Sequence, residues 1–292
     1  MSGDVRVQVL VGKEPADVRQ AMAELDADED DWQVFQEATK SRLRLHATSL
    51  MLVIWDVRQI EGRRTSYRIA AWLSGERLLV VTPEMTPALN AFQNECHTER
   101  ICPSALEALG RLLIKITNSY AEAADEVERD AEQIQRRVLL GPRKGLWHEA
   151  YAVRQGAFFL RRQAMRLARM MDILRPSAVV RSDGERAALE EVHGEAEDLI
   201  DDLGEVLGSM ADMVEANSAI LDHRTNGIMK VLTVVSVVFM PPTLIASIYG
   251  MNFYIPEIHW RYGYAYSLIL MALVVAGSLA WMHFNGWLRR DD

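Results

Sequence analysis

Cysteine is nearly absent: the 292 residues contain Cys96 and Cys102 and no others. No disulfide framework is implied, so cohesion must come from buried apolar surface. Basic residues are also short, with 32 Lys and Arg against 41 Asp and Glu and a formal net charge of -9. Such a balance disfavours non-specific nucleic-acid binding and suits a cationic partner. The first six residues, MSGDVR, are followed by no apolar run, so this stretch does not read as a secretory signal. A P-loop or other nucleotide-binding motif is missing too. His46, His97, His148, His193 and His223 are scattered along the chain without the neighbours a catalytic constellation needs, and the sequence does not read as an enzyme.

Charge itself is missing from one long stretch. Between Ile228 and Phe284 the formal charges are Lys230, Glu257 and Arg261 alone, a division hidden by the overall mean hydropathy of -0.05. Ile228 to Tyr249 reads IMKVLTVVSVVFMPPTLIASIY. At about 22 residues it is long enough for a helix to cross a hydrocarbon core of roughly 30 Å. Lys230 lies near one end, where a lysine can snorkel to the interface. Tyr264 to Phe284 reads YAYSLILMALVVAGSLAWMHF, with Tyr262, Tyr264, Tyr266 and Trp281 near its ends, where interfacial aromatics belong. The competing reading is a buried helical hairpin in a soluble core; two tandem runs of this length weigh against it. His223, Arg224 and Lys230 flank the first run and Arg289 and Arg290 follow the second. The positive-inside rule therefore predicts cytoplasmic termini and an outward-facing loop.

The approach to the first span reads as one long helix. Leu199, Leu203, Val206, Met210, Met213, Asn217 and Ile220 recur by fours and threes, a coiled-coil-like seam with a polar, register-setting residue at Asn217. No proline interrupts from Asp183 to Met240; continued to Tyr249, such a helix spans roughly 100 Å at 1.5 Å per residue. The alternative is a bundled soluble helix, broken at Gly227 before the membrane. Its surface is strongly acidic from Asp183 to Asp222, with Arg186 the only Lys or Arg there, whereas Arg154, Arg161, Arg162, Arg166 and Arg169 make the preceding helix basic. Excess carboxylates are the oxygen ligands that hard divalent cations prefer.

Before residue 100 the pattern changes to strands: Val5 to Val11 alternates, Ser49 to Val57 is a short apolar run, and Tyr67 to Leu73 and Leu78 to Val81 flank a turn at Ser74 to Arg77. Asp17 to Leu25 and Asp31 to Thr39 read as short helices. A long helix opens at Pro103-Ser104, with Ser104 as N-cap and Glu107 three residues on, and runs to Leu140 before Gly141-Pro142. A second covers Leu146 to Leu174. The predicted fold class is an α+β (α/β-type) cytoplasmic head, a long helical stalk and two C-terminal transmembrane helices, a multi-pass membrane protein. The predicted division is 1–100 α/β domain, 101–182 helical hairpin, 183–227 stalk, 228–249 first transmembrane helix, 250–263 outer loop, 264–285 second transmembrane helix and 286–292 basic tail.

At the outer end of the first span stands Tyr249-Gly250-Met251-Asn252-Phe253. This string resembles the GMN signature of the CorA family in its fuller YGMNF form. Ile255-Pro256-Glu257-Ile258, then Trp260 and Gly263, resembles that family's acidic outer loop. Met229 to Thr233 and Phe239-Met240-Pro241 resemble its first span. The close resemblance covers about 225–288, with two C-terminal spans as its context; the head matches by order of elements only.

The resemblance implies a homopentamer in the lipid bilayer of the inner (plasma) membrane, five first spans lining a central pore, and a selectivity ring of Gly250, Met251 and Asn252 at its outer mouth. Neutral amide oxygens can hold a hydrated ion through its waters without trapping it, whereas Met251 reads as a packing residue. Carried over position by position, Met229, Leu232, Ser236, Met240 and Thr243 would line the pore, with Met229 and Leu232 as the cytoplasmic hydrophobic gate. Glu257 would concentrate cations outside, and Glu190, Glu191, Glu197 and Asp198 are candidates for regulatory metal binding between subunits. The expected function is channel-like movement of a divalent cation, Mg²⁺ or Co²⁺ in preference, with no cofactor, no enzymatic activity and no nucleic-acid partner. Two alternatives stay open: a Zn²⁺ transporter of the ZntB-like branch, for which Cys96-His97, Cys102 and His259 would be soft ligands, and a non-transporting membrane-anchored metal sensor or scaffold.

Overall fold

The computed structural model describes residues 5–60, 63–99, 103–139, 146–252 and 254–287. Cys102, Gly141-Pro142, Phe253, Arg289 and Arg290 lie outside them. The described chain forms two compact units, one ending at Val214 and the other beginning at Glu215.

The first unit opens with β1 (Arg6–Val11), α1 (Pro15–Glu24), α2 (Glu29–Glu37), β2 (Arg42–Leu45), β3 (Ser49–Ile60), β4 (Arg63–Ser74) and β5 (Arg77–Thr82). The five strands form one sheet in the order β1-β5-β4-β3-β2, in which β1 runs parallel to β5 and the other pairings are antiparallel. The turn between β4 and β5 is a two-residue loop closed by the Ser74–Arg77 pair, and Gly75 has φ +57°, the position where a tight hairpin of this kind favours glycine. Side-chain alternation then sorts the strands onto two cores. Met51, Val53, Ala70, Trp72, Leu79 and Val81 pack against α1 and α2. Leu50, Leu52, Ile54, Ile69, Ala71, Leu73, Leu78 and Val80 face the helices that follow. Two elements had no signal in the sequence reading: β2, whose Arg-Leu-Arg-Leu is only four residues long, and α3 (Pro87–Glu99).

The long helices are α4 (Ala105–Leu139), α5 (Leu146–Leu174) and α6 (Asp183–Tyr249). Ser104 caps α4 as expected, its Oγ accepting from the Glu107 N–H at 3.1 Å. At the start of α6 the capping is reciprocal: Ser182 Oγ accepts from Glu185 N–H, and Glu185 Oε2 accepts from Ser182 N–H, both at 3.1 Å. Gly110 lets α4 approach α6, since a Cβ there would lie 3.0 Å from Ala188 Cβ. The predicted seam proves to be part of this bundle. Leu199, Leu203, Val206, Met210 and Met213 are buried in one core with residues of α4 and α5, so these positions are satisfied within the chain and left unavailable as a coiled-coil face. Tyr120 on α4 is fully buried and donates its hydroxyl to the Trp55 carbonyl; burial holds its phenol protonated, its pKa pushed upward.

In the second unit α6 continues without a break through Gly227 and through Pro241-Pro242 to Tyr249. The stalk and the first apolar run are therefore one helix. A 3₁₀ turn (Pro256–His259) precedes α7 (Gly263–Phe284). Both apolar helices are long enough to cross a membrane, and their apolar windows are almost wholly exposed, 0% and 6% buried. A soluble hairpin would bury such surface; exposed apolar area of this extent requires lipid or another subunit.

Candidate functional site

Met229, Leu232, Ser236, Met240 and Thr243 follow one another by three or four residues on α6, which places them on one face of the helix. All five are exposed in the single chain. The face begins with two apolar side chains and continues with a hydroxyl, a thioether and a second hydroxyl. Each hydroxyl is committed in the same way: Ser236 Oγ donates to the Leu232 carbonyl at 2.9 Å, and Thr243 Oγ1 donates to the Phe239 carbonyl at 2.7 Å. Their hydrogens are used within the helix, so toward the open side the oxygens present lone pairs only. That polarity matches a hydrated cation, whose bound waters donate outward.

The face ends at the GMN segment. Gly250 N–H donates to the Ala246 carbonyl at 2.9 Å and Met251 N–H to the Ile248 carbonyl at 3.2 Å, closing the helix. A Cβ on Gly250 would stand 3.3 Å from the Ala246 oxygen, closer than backbone comfortably allows. Met251 and Asn252 project past the last turn and are exposed. They stand where the partial negative charge of the α6 C-terminus is greatest, a second attraction for cations. Sequence reasoning identified Asn252 and overlooked this contribution, whose signal was the helix ending immediately before it. Pro241 and Pro242, where the sequence removes two backbone donors and leads one to expect a local bend, lie inside α6 and supply no N–H to the Val237 and Val238 carbonyls one turn earlier.

Beyond Tyr254, the 3₁₀ turn holds Glu257 half-buried. His259 stacks on Tyr254 with ring centroids 5.2 Å apart, and its Nδ1 lies 3.3 Å from the Ile255 carbonyl. This gives His259 a structural task in the loop. Cys96 is half-buried against the main core and in no disulfide; nothing is described of the His97 side chain or of Cys102, so the proposed soft site lies largely outside the described residues.

The acidic candidates are not brought together. Glu190, Glu191, Glu197 and Asp198 are all exposed on α6. Glu190 shares a face with Glu197, and Glu191 with Asp198, but seven residues separate the members of each pair by roughly 10 Å, too far for one ion. Glu197 lies 3.4 Å from His193 Nδ1, and His193 Nε2 lies 3.0 Å from Asp172. Glu191 borders a groove of about 520 Å³ with Glu95, Glu107, Arg111 and Lys115. There Glu95 receives Arg111 and Lys115, each at 3.0 Å. The hydrogen bond from Lys115 is the main reason its carboxyl titrates below the ordinary value, with desolvation opposing and the charges of Lys115 and Arg111 assisting. Among the described residues no group of three or more His, Cys, Asp or Glu is arranged to hold a metal.

The profile of the CorA-like Mg²⁺ transporter proteins matches residues 11–286. Over 230 residues the chain is 26% identical to the magnesium transport protein CorA of Escherichia coli (strain K12), covering 75% of this chain and 71% of that one. A shorter match, 44% identical over 90 residues, relates it to YfjQ of Bacillus subtilis (strain 168) and takes in 29% of this chain and 28% of that protein's length. Among solved structures, the CorA magnesium transporter of Methanocaldococcus jannaschii superposes with a TM-score of 0.81 at 18% identity, covering 96% of this chain and 90% of that one. At that identity the superposition speaks for the fold.

Proposed function

Because this chain belongs to the CorA family, we infer that it conducts divalent metal cations passively across the inner membrane, as a homopentamer whose pore is lined by α6. The observation that carries this reading is the exposed face of α6, apolar at Met229 and Leu232, bearing acceptor-only hydroxyls at Ser236 and Thr243, and ending in the uncharged carboxamide of Asn252.

Five copies of that face about a common axis would form an aqueous path. Asn252 rings would receive a hydrated ion at the outer mouth, Glu257 would raise the local cation concentration, and Gly250 would let the backbone turn inward under the ring. Ser236 and Thr243 would pass the ion along by accepting hydrogen bonds from its water shell. Met229 and Leu232 would close the inner end by dewetting. The termini lie in the cytoplasm on this reading, and an inside-negative potential drives inward flow: a divalent ion gains about 4.6 kcal/mol per 100 mV. Because Glu190 and Glu197, like Glu191 and Asp198, stand too far apart to share an ion alone, a regulatory cation at these acids would take its remaining ligands from a neighbouring subunit.

The polar donors of the face, at Ser236, Thr243 and Asn252, are oxygens, which favour Mg²⁺ over Zn²⁺, a metal that prefers nitrogen and sulfur; Co²⁺ is grouped with Mg²⁺ on the family resemblance. Uptake of each ion into proteoliposomes, for the native protein and Asn252→Ala, tests the inference. It expects Mg²⁺ and Co²⁺ uptake that falls at least about tenfold in the variant, the loss of roughly 1.4 kcal/mol of ion stabilisation. Zinc-selective uptake would transfer the assignment to the ZntB-like alternative. No uptake by correctly inserted native protein would favour a sensor or scaffold.

A further inference from the structure

One face of α5 is exposed along the whole helix. Trp147, Tyr151, Arg154, Phe158, Arg162 and Arg169 follow one another by three, four or seven residues and all six are exposed, so they form one continuous stripe. Trp147 and Tyr151 are 55% and 60% exposed, and the Arg154 guanidinium lies 5.3 Å from the Phe158 ring centre. The described ion pairs of α5 engage Glu149, Asp172 and Arg175, not the arginines of the stripe. Their positive field is uncompensated. Arg166, one turn from Arg162, titrates below the ordinary arginine value, first because it is desolvated and then because Arg162 repels its charge.

The opposite charge stands on α6. Asp201, Glu205 and Asp212 recur by four and seven on one exposed face, and no Lys or Arg occurs on that helix between Arg186 and Arg224. The described ion pairs of this acidic stretch engage His193 and Glu197 instead. Both stripes are exposed in the single chain, so neither covers the other.

We propose that the aromatic and arginine stripe of α5 docks against the acidic face of α6 on a second copy of this chain. A ring of identical subunits needs two unlike, complementary patches on each, and these two are opposite in charge. Their heights agree as well. Arg161 Nε donates to the Ile200 carbonyl at 3.1 Å, and a Cβ on Gly204 would stand 3.5 Å from the Arg161 guanidinium, which puts this part of α5 level with Asp201 and Glu205 of its own α6. Asp172, later on α5, lies 3.0 Å from His193, earlier on α6, so the two helices run antiparallel. Rotation about a common axis changes no heights. Arg162 therefore stays level with Asp201 and Glu205 of the next subunit, and Arg154, about two turns back, with Asp212. The exposed rings lose their water in the same contact. The inference rests on the ring reading above and adds the surfaces that meet; the three acids are separate from the candidate regulatory ligands.

The test uses the full chain. Two differently tagged copies, one carrying Arg162→Cys and the other Glu205→Cys, are co-expressed, extracted in detergent and treated with a short bis-maleimide, so that a mixed dimer forms only between subunits. Mixed dimers should exceed those of two tagged native chains at least about tenfold. A charge cycle reads the same contact without cysteine: Arg162→Glu should raise the concentration at which assemblies half-dissociate about tenfold, and adding Glu205→Arg should reverse most of that change. Mixed dimers no more abundant than in the native pair, or a second charge reversal that restores nothing, would overturn the proposal. Native protein that counts as a single subunit by native mass spectrometry would overturn the ring reading with it. Cross-linked assemblies that move no metal would overturn the conduction reading alone.

Discussion

Asn252 could be proposed from the sequence because its chemistry is local: a neutral amide beside glycine, just past an apolar span, stands out within a handful of residues. The hydroxyls of Ser236 and Thr243 were legible as positions, but their commitment to the carbonyls of Leu232 and Phe239 required coordinates. That commitment makes Thr243→Val informative, because the variant keeps the shape and removes the acceptor. Metal uptake should fall about fivefold, the equivalent of one ordinary hydrogen bond, while Thr243→Ser should retain native rates. Glu95 yields a second expectation at this scale. Its folded-state pKa lies below the unfolded value of 4.5, so its contribution is fully present above that value and is lost as pH falls through the folded pKa. Glu95→Gln should therefore lower the stability of the detergent-solubilised chain by about 1 kcal/mol at pH 7. In thermal melts the difference between native and variant should shrink as the buffer is taken below pH 4.5; a pH-independent difference would contradict the ion-pair explanation.

Helices and hairpins with strong periodicity were read correctly because their patterns repeat over several turns or strand pairs. The seam from Leu199 to Met213 was visible, but its partner was not: an apolar stripe fits a helix of the same chain as well as one from another, and only the shared core with α4 and α5 decides between them. The strand β2 was missed because its four residues alternate arginine and leucine on a sheet edge, too short for a pattern to emerge. Gly227 was a plausible break by propensity alone, yet the helix passes through it, its roughly 1 kcal/mol cost outweighed by the surrounding turns. If the seam belongs to the bundle, Leu203, which is 1% exposed, should behave as a core residue. Leu203→Ala should destabilise the folded chain by about 2–5 kcal/mol, with a lower melting temperature and, at temperatures where it remains folded, an unchanged subunit number. Loss of assembly without loss of stability would place that position at a contact between subunits instead.

Across the whole molecule, charge is dense up to about His223 and nearly absent from Ile228 onward, whereas the two compact units divide between Val214 and Glu215, within α6. The four acids proposed for regulation, Glu190, Glu191, Glu197 and Asp198, do not converge within one chain, and any ligand from a second subunit would leave no spacing signal in the first. The same holds for the pore: a helix face exposed in a single chain becomes an ion path only when several copies turn it toward one axis. The most direct measurement is a cryo-electron microscopy map of the assembly in lipid nanodiscs. Five subunits should appear, with the Asn252 side chains meeting around the central axis and Met229 and Leu232 narrowing the same channel toward its other end. A map in which residue 252 points into the bilayer, or packs inside its own subunit away from the axis, would contradict the account.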